Sequence, residues 1–200
     1  MNDTIDELTS AFQKFPGIGP RQAKRFVYHL LSTNASERTI LSSLITKLGN
    51  DISQCSLCMR FAPTNDKLCK LCRDKHRDES LLMIVEKDQD LSAVERAHAY
   101  KGFYFVLGGI ITLSGKGSIR ERDLIRVVEA RSTKGLGEIV LALSATSEGE
   151  HTADRVRELL KPLHGRIKIT QLGRGLATGS ELEYSDSQTL TSALQNRKET

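Results

Sequence analysis

The feature that most constrains this chain is the spacing of its four cysteines. They form two pairs, Cys55-Ser56-Leu57-Cys58 and Cys69-Lys70-Leu71-Cys72, with ten residues between the pairs. A Cys-x2-Cys turn directs two thiolates at one metal ion, and two such turns complete a tetrahedral site typical of structural zinc. Because four thiolates fill the coordination shell, we expect Zn²⁺ to stabilise local folding here rather than to catalyse a reaction.

Two disulfides or a redox-active pair would also use closely spaced cysteines. Disulfides need an oxidising compartment, and the first ten residues carry Asp3, Asp6 and Glu7 instead of an apolar leader. The spacing therefore favours a zinc site, with His76 as an alternative ligand. Because the apolar runs are too short to cross a bilayer, we expect a cytoplasmic protein without a membrane partner.

The positive charge of the chain is concentrated in its first part. Residues 11–77 contain twelve Lys and Arg against four Asp and Glu, whereas residues 78–200 contain seventeen against eighteen. This asymmetry indicates a polyanion-binding end joined to a neutral scaffold, with a solvated basic face as the alternative. Trp is absent and aromatic residues make up 5% of the chain, so base stacking is not expected to dominate binding.

A Gly- and Pro-rich turn, Phe15-Pro16-Gly17-Ile18-Gly19-Pro20, separates two segments whose apolar residues follow the helical period. Pro20 suits the first position of the second helix. We expect Gly17 and Gly19 to adopt backbone angles that are closed to other residues. The free N–H groups of the second helix would then face a bound phosphate.

Three cations, Arg21, Lys24 and Arg25, flank this turn on the side opposite the apolar stripe. They predict contacts to the phosphates of DNA, which give salt-dependent affinity without base specificity. The pattern as a whole predicts a helix-hairpin-helix, and an ordinary helical hairpin remains the alternative.

A third helix is predicted after Asn34, which has capping-box spacing to Glu37. We expect this helix to bury its apolar residues, which are Ile40, Leu41, Leu44, Ile45 and Leu48.

From residue 80 onward, short apolar runs alternate with helical patterns, which predicts an α/β unit with a largely parallel sheet. The predicted strands cover 81–85, 103–107, 139–143 and 166–172. Helices are predicted near 90–100, 120–131 and 151–161, and a last helix near 186–197.

Acidic residues follow two of these strands, at the edge where an open parallel sheet places its site. Glu86 ends the first strand, and Glu148-Gly149-Glu150 follows the third. This order resembles the Toprim domain of topoisomerases and primases. Toprim enzymes carry an Asp-x-Asp where this chain has Ser144 and Thr146. Hydroxyls hold Mg²⁺ weakly, so we expect no strand cleavage and at most one weakly bound Mg²⁺.

The succession of a helix-hairpin-helix, a four-cysteine module and a degenerate Toprim domain resembles the RecR family of recombination mediators over essentially the whole chain. The stretches that carry the resemblance are 15–20, the four cysteines, Val106-Leu-Gly-Gly109, Glu148-Gly-Glu-His-Thr-Ala153 and Leu182-Glu-Tyr-Ser-Asp186. The family often has arginine in its last Toprim strand where Gln171 stands, and Asn-Pro-Thr where this chain reads Ser144-Ala145-Thr146.

The resemblance implies a non-catalytic clamp that assembles as a dimer or tetramer ring around DNA at the nucleoid. With RecO, and in some settings RecF, family members help to load RecA onto single strands. Arg21, Arg25 and Lys24 would be DNA contacts, and Glu86 and Glu148 would lie on the acidic surface used towards RecO. The final Leu-Glu-Tyr segment and helix would join subunits.

We therefore expect an α+β protein of several modules. These are a helix-hairpin-helix region at 1–52, a C4 zinc finger at 53–77, a Toprim domain at 78–173 and an oligomerisation segment at 174–200. The main alternative is a Toprim-type, metal-dependent enzyme that cleaves DNA. A zinc-dependent protein adaptor with incidental DNA affinity is the third hypothesis.

Overall fold

The computed structural model describes residues 3–63, 66–163 and 165–197. Thr64 and Asn65 of the cysteine module and residues 198–200 of the predicted C-terminal segment lie outside this range. The chain divides into two compact units, Met1–Ser53 and Gln54–Thr200. The α+β organisation predicted from the sequence is confirmed.

The first unit consists of helices α1 (Thr4–Phe12), α2 (Pro20–Ser32) and α3 (Ala35–Asp51). Helix α2 begins at Pro20, as predicted, and buries Ala23 and Val27. Phe12 on α1 packs edge-on against Phe26 on α2, with ring centroids 5.7 Å apart. An aromatic pair of this geometry contributes beyond its buried area, so it holds the two helices of the hairpin together.

Helix α3 begins at its predicted cap but does not bury its apolar residues. The Asn34 side chain accepts the Glu37 N–H at 2.8 Å and donates to the Glu37 carboxylate at 2.9 Å. The predicted burial is wrong, because the five apolar side chains stay between 41% and 64% exposed. An apolar helix face of this size needs a partner, and the described part of a single chain does not supply one.

Three short elements form the cysteine module. They are β1 (Ile52–Gln54), β2 (Phe61–Pro63) and α4 (Lys70–Arg73), and β1 pairs with β2.

A parallel sheet of four described strands forms the centre of the second unit, in the order β4-β3-β5-β6. The strands are β3 (Asp78–Val85), β4 (Gly102–Val106), β5 (Glu138–Ala142) and β6 (Lys168–Gln171). The connecting helices are α5 (Asp88–Ala97), α6 (Glu121–Ser132) and α7 (Ser147–Leu159).

Both faces of this sheet are covered, which explains why its strands read as continuous apolar runs. Leu82 and Ile84 belong to one packed cluster, whereas Met83 and Val85 belong to another on the opposite face. Side chains alternate between faces along a strand, so each strand contributes to both cores.

The C-terminal part contains short 3-10 turns at Lys161–Leu163 and Leu182–Tyr184 and helix α8 (Ser187–Gln195). Asp186 caps α8 by accepting the N–H groups of Gln188 and Thr189, each at 2.9 Å. None of the helices in the described ranges has the length and apolar character needed to traverse a membrane.

Candidate metal centre and nucleic-acid interface

The four cysteines converge on one point. Their Sγ atoms lie within 4.8 Å of one another, and His76 does not belong to this group. The first pair occupies the turn between β1 and β2, and the second pair lies at the start of α4. All four are free thiols. Sulfurs that surround a common centre from two separate turns form a metal site rather than two disulfides.

Backbone hydrogen bonds fix the shape of the first turn. The Met59 N–H donates to the Cys55 carbonyl at 3.0 Å, and the Cys55 N–H donates to the Arg60 carbonyl at 2.8 Å. Met59 has a φ of 60°, a left-handed conformation that is uncommon for a residue with a side chain. The Cys69 N–H approaches the Cys55 Sγ at 3.4 Å, which links the two cysteine pairs.

Hydrogen bonds among the thiols shift their pKa values in opposite directions. The bond with Cys58 is the largest cause that lowers the pKa of Cys55 from its ordinary value, and the same bond raises the pKa of Cys58. The Sγ atoms of Cys58 and Cys69 are 3.5 Å apart. Thiolates are the form that binds a divalent cation, so metal binding displaces protons from this cluster and acid weakens it.

The cysteine module is anchored to the end of strand β4. The Cys58 carbonyl accepts the Val106 N–H at 2.8 Å. The Arg120 guanidinium donates to the carbonyls of Val106 at 2.8 Å and Met59 at 3.3 Å. Gly108, with a φ of 84°, leaves room for this arginine, because a Cβ there would lie 2.6 Å from its central carbon. Arg120 therefore ties the cysteine turn to the sheet.

Two carboxylates that follow Glu86 in the chain accept backbone N–H groups. Asp88 accepts the Phe61 N–H of strand β2 at 2.9 Å, and Asp90 accepts the Lys87 N–H at 3.1 Å. Asp88 therefore links the cysteine module to α5, and Asp90 stabilises the start of α5.

Glu86 lies beneath the surface rather than on it. It is 9% exposed, and its carboxylate accepts the Ser144 N–H at 3.0 Å. Thr146 caps α7 by accepting the Gly149 N–H at 3.1 Å, and its hydroxyl is 3.3 Å from that of Ser144. The expectation that Glu86 lies on the acidic surface is therefore corrected, because its side chain is buried. Glu148 is half-buried. Glu86 and the hydroxyls of Ser144 and Thr146 therefore help to fix the loop between β5 and α7.

A polar network closes the same end of the sheet. The Gln171 amide donates to Glu150 at 2.8 Å and accepts from Arg157 at 2.6 Å. Arg174 forms an ion pair with Glu150. Gln171 is thus hydrogen-bonded on two sides, and the cations of this network are Arg157 and Arg174. Within the described ranges, only the four cysteines bring three or more candidate metal-ligand atoms together.

The hairpin presents its three cations on one open face. Arg21, Lys24 and Arg25 are exposed, and no hydrogen bond or ion pair of their side chains occurs within the described ranges. The N–H groups of Arg21 and Gln22 likewise have no acceptor there. Free N–H groups beside unpaired cations form an electropositive helix start.

The two glycines of the turn differ in their backbone needs. Gly17 has a φ of 77°, the left-handed region that favours glycine. Gly19 has a φ of −84° and a ψ of 171°, which any residue adopts. The prediction of special angles is correct for Gly17 and wrong for Gly19. A Cβ at Gly19 would meet nothing within 4 Å, so its lack of a side chain leaves an open approach to the helix start.

Comparison with known proteins covers nearly the whole chain. A model described as RecR, helix-hairpin-helix, matches residues 5–48. A Toprim domain model matches 80–173, and a model described as RecR, C-terminal, matches 175–198. The recombination protein RecR of Ruegeria sp. strain TM1040 is 40% identical over 99% of this chain and 97% of its own length. That of Chlorobium phaeobacteroides strain BS1 is 37% identical over 96% and 95%. That of Lacticaseibacillus casei strain BL23 is 34% identical over 98% of both.

Removing the metal with a chelator should loosen the cysteine module selectively. Amide hydrogen exchange should accelerate over residues 54–77 and at Val106, whose N–H depends on Cys58, because the turns lose their cross-link. Amides of β5, held by the sheet, serve as the internal control. Unchanged exchange in the module after verified metal removal would contradict a structural role for the site.

Proposed function

Because this chain belongs to the RecR family of recombination proteins, we propose that it is a non-catalytic, DNA-binding recombination mediator. In this proposal it acts at the nucleoid with RecO, and in some settings RecF, to help load RecA onto single strands. The observation that carries the proposal is the exposed, unpaired cationic face at the start of α2. In this proposal each of four segments has its own role. The DNA-binding segment is 1–52, the zinc finger is 53–77, the partner-binding scaffold is 78–173 and the segment that joins subunits is 174–200.

DNA binding by the hairpin follows from its charge and shape. A phosphate above the turn meets the free N–H groups of the α2 start, and the neighbouring phosphates meet Arg21, Arg25 and Lys24. The side-chain contacts are to the backbone of the nucleic acid, so the proposed binding is insensitive to sequence and strongly sensitive to salt.

Replacing two of these cations tests the proposal. Arg21→Ala/Arg25→Ala should weaken single-strand binding about ten-fold at low salt and make the plot of log affinity against log salt shallower by about 1.4. Fluorescence anisotropy over a salt series measures both quantities. The matched control, Arg122→Ala/Lys134→Ala, removes the same charge from exposed positions of the second unit and should leave the slope nearly unchanged. Equal slopes for the two double variants would instead favour the adaptor hypothesis.

The absence of catalysis in this proposal rests on the residues at the Toprim edge. Two-metal phosphoryl transfer needs carboxylates that hold Mg²⁺. Here Ser144 and Thr146 offer hydroxyls, and the Glu86 carboxylate is engaged with the Ser144 N–H. These features support a scaffold with at most one weakly bound Mg²⁺.

Incubation with DNA separates this proposal from its main rival. Supercoiled and single-stranded DNA with Mg²⁺ or Mn²⁺ should remain intact, as resolved by gel electrophoresis. Glu86→Gln keeps an acceptor for the Ser144 N–H while removing the charge, so it is the matched control. Cleavage by the original protein that this variant abolishes would establish a Toprim enzyme.

Zn²⁺ is the proposed occupant of the cysteine cluster, because four thiolates in a tetrahedral arrangement suit that ion. Its contribution when bound is structural. Cys55, Cys58, Cys69 and Cys72 would be its ligands, and the Val106 and Arg120 hydrogen bonds to residues 58 and 59 orient the first turn.

The proposed RecO surface is the acidic edge near α7. Glu148 is half-buried and reaches solvent, so it is the side chain proposed to meet a basic partner. Glu86 would act indirectly, by holding the loop that precedes α7.

Self-assembly is proposed from apolar surface that one chain leaves open. A groove of about 580 Å³ runs between the helices of the first unit and includes Leu41 and Ile45 of α3. In the C-terminal segment, Leu182, Tyr184 and Leu194 are 65–81% exposed. Two separate apolar surfaces on each chain allow dimers to close into a ring. In such a ring, each surface packs against the same surface of another chain.

Charges placed in the groove should weaken this assembly. Leu41→Glu/Ile45→Glu should lower the mass measured by light scattering with size exclusion, since a buried carboxylate would lack a partner. Thr39→Glu/Ser43→Glu adds the same charge to the same helix outside the groove and should keep the original mass. If both variants keep it, α3 does not form the interface.

A further inference from the structure

Arg131, near the end of α6, is a buried cation without a visible partner. Its side chain is 9% exposed, and its guanidinium carbon lies 4.0 Å from the centroid of the Phe103 ring. Within the described ranges it makes no side-chain hydrogen bond or ion pair, and its Nε is buried without an acceptor. A buried charge is strongly destabilising unless an opposite charge lies nearby, and contact with an aromatic ring compensates only part of that cost.

The cysteine module borders the helix that carries this arginine. On α6, one turn and a half before Arg131, the Arg126 guanidinium donates to the Ser56 carbonyl inside the first cysteine turn at 3.3 Å. Phe103, which lies under Arg131, packs in the same cluster as Met59, the residue after Cys58. The module therefore borders α6, and its Met59 shares a packed core with the ring on which Arg131 lies.

The electrostatic surroundings of Arg131 agree with this placement. Burial lowers the pKa of its guanidinium from the ordinary value. The negative groups that oppose this shift are, largest first, those of Cys72, Glu79 and Cys58. Two of these three are cysteines of the cluster, and they carry charge only as thiolates.

A divalent metal bound by four thiolates has a net charge of about −2, which is itself costly in a buried site. We propose that Arg131 is the counter-charge of the four-cysteine metal centre, a positioning residue that stabilises the bound tetrathiolate and slows metal loss. The proposal rests on the metal proposed above. It also accounts for the burial of the arginine, because a metal-bound tetrathiolate and Glu79 together supply negative charge near a cation that has no ion pair within the described ranges.

Zinc loss from the full-length, zinc-loaded protein to an excess of a chromophoric chelator tests this role. Arg131→Met has similar length and no charge, and should accelerate zinc loss about 10- to 100-fold, the usual effect of removing an outer partner of a metal site. Arg131→Lys keeps the charge and should stay within a few-fold of the original rate. Arg122→Met is the matched control, because it removes an exposed cation from the same helix and should change the rate little.

Two results would overturn the proposal. One is zinc loss from Arg131→Met at the original rate. The other is equally fast loss from Arg131→Lys and Arg131→Met, which would assign the effect to packing. Circular dichroism verifies that each variant is folded, and Arg131→Gln replaces the methionine variant if the latter does not fold. A parent protein that holds no zinc would instead reject the proposed metal, which the starting metal content reveals separately.

Discussion

The convergence of two Cys-x2-Cys turns on one point is the constraint on which the cysteine module and its junction with the sheet depend. The module has little apolar core of its own, consisting mainly of the cysteines and Ala62. A segment of this size folds stably only with a cross-link, and a metal bound by all four sulfurs supplies one. The module is joined to the sheet through the Cys58 carbonyl and the Arg120 guanidinium. Disorder in the cysteine turns would therefore reach the end of strand β4.

The carboxyl edge of the sheet shows how polar side chains of a Toprim domain can be engaged within the protein itself. The strand order and the Glu-Gly-Glu run place acidic groups at the carboxyl edge, as in the Toprim domain. The side chains there bind each other and the backbone: Glu86 holds Ser144, Thr146 caps α7, and Gln171 links Glu150 to Arg157. These bonds stabilise the shape of the loop between β5 and α7 and engage the side chains of Glu86 and Thr146.

Local patterns predicted much of the fold because short-range physics determines them. Pro20 marks the start of α2, the pairing of Asn34 with Glu37 caps α3, and the apolar runs became strands of a two-sided sheet. The convergence of the cysteines also followed from spacing. The predictions of burial and exposure that failed depend on contacts distant in sequence. The apolar face of α3 is exposed because none of the described residues covers it, and Glu86 is buried where it accepts a hydrogen bond from a residue 58 positions away. No local signal marks Arg120 or Arg131, whose roles arise from contacts across the fold.

X-ray absorption at the zinc edge of the purified protein tests the central claim most directly. The account predicts one zinc per chain with four sulfur neighbours at about 2.3 Å and no nitrogen or oxygen in the inner shell. A mixed shell with nitrogen, or a protein free of zinc whose cysteines are oxidised in pairs, would contradict it.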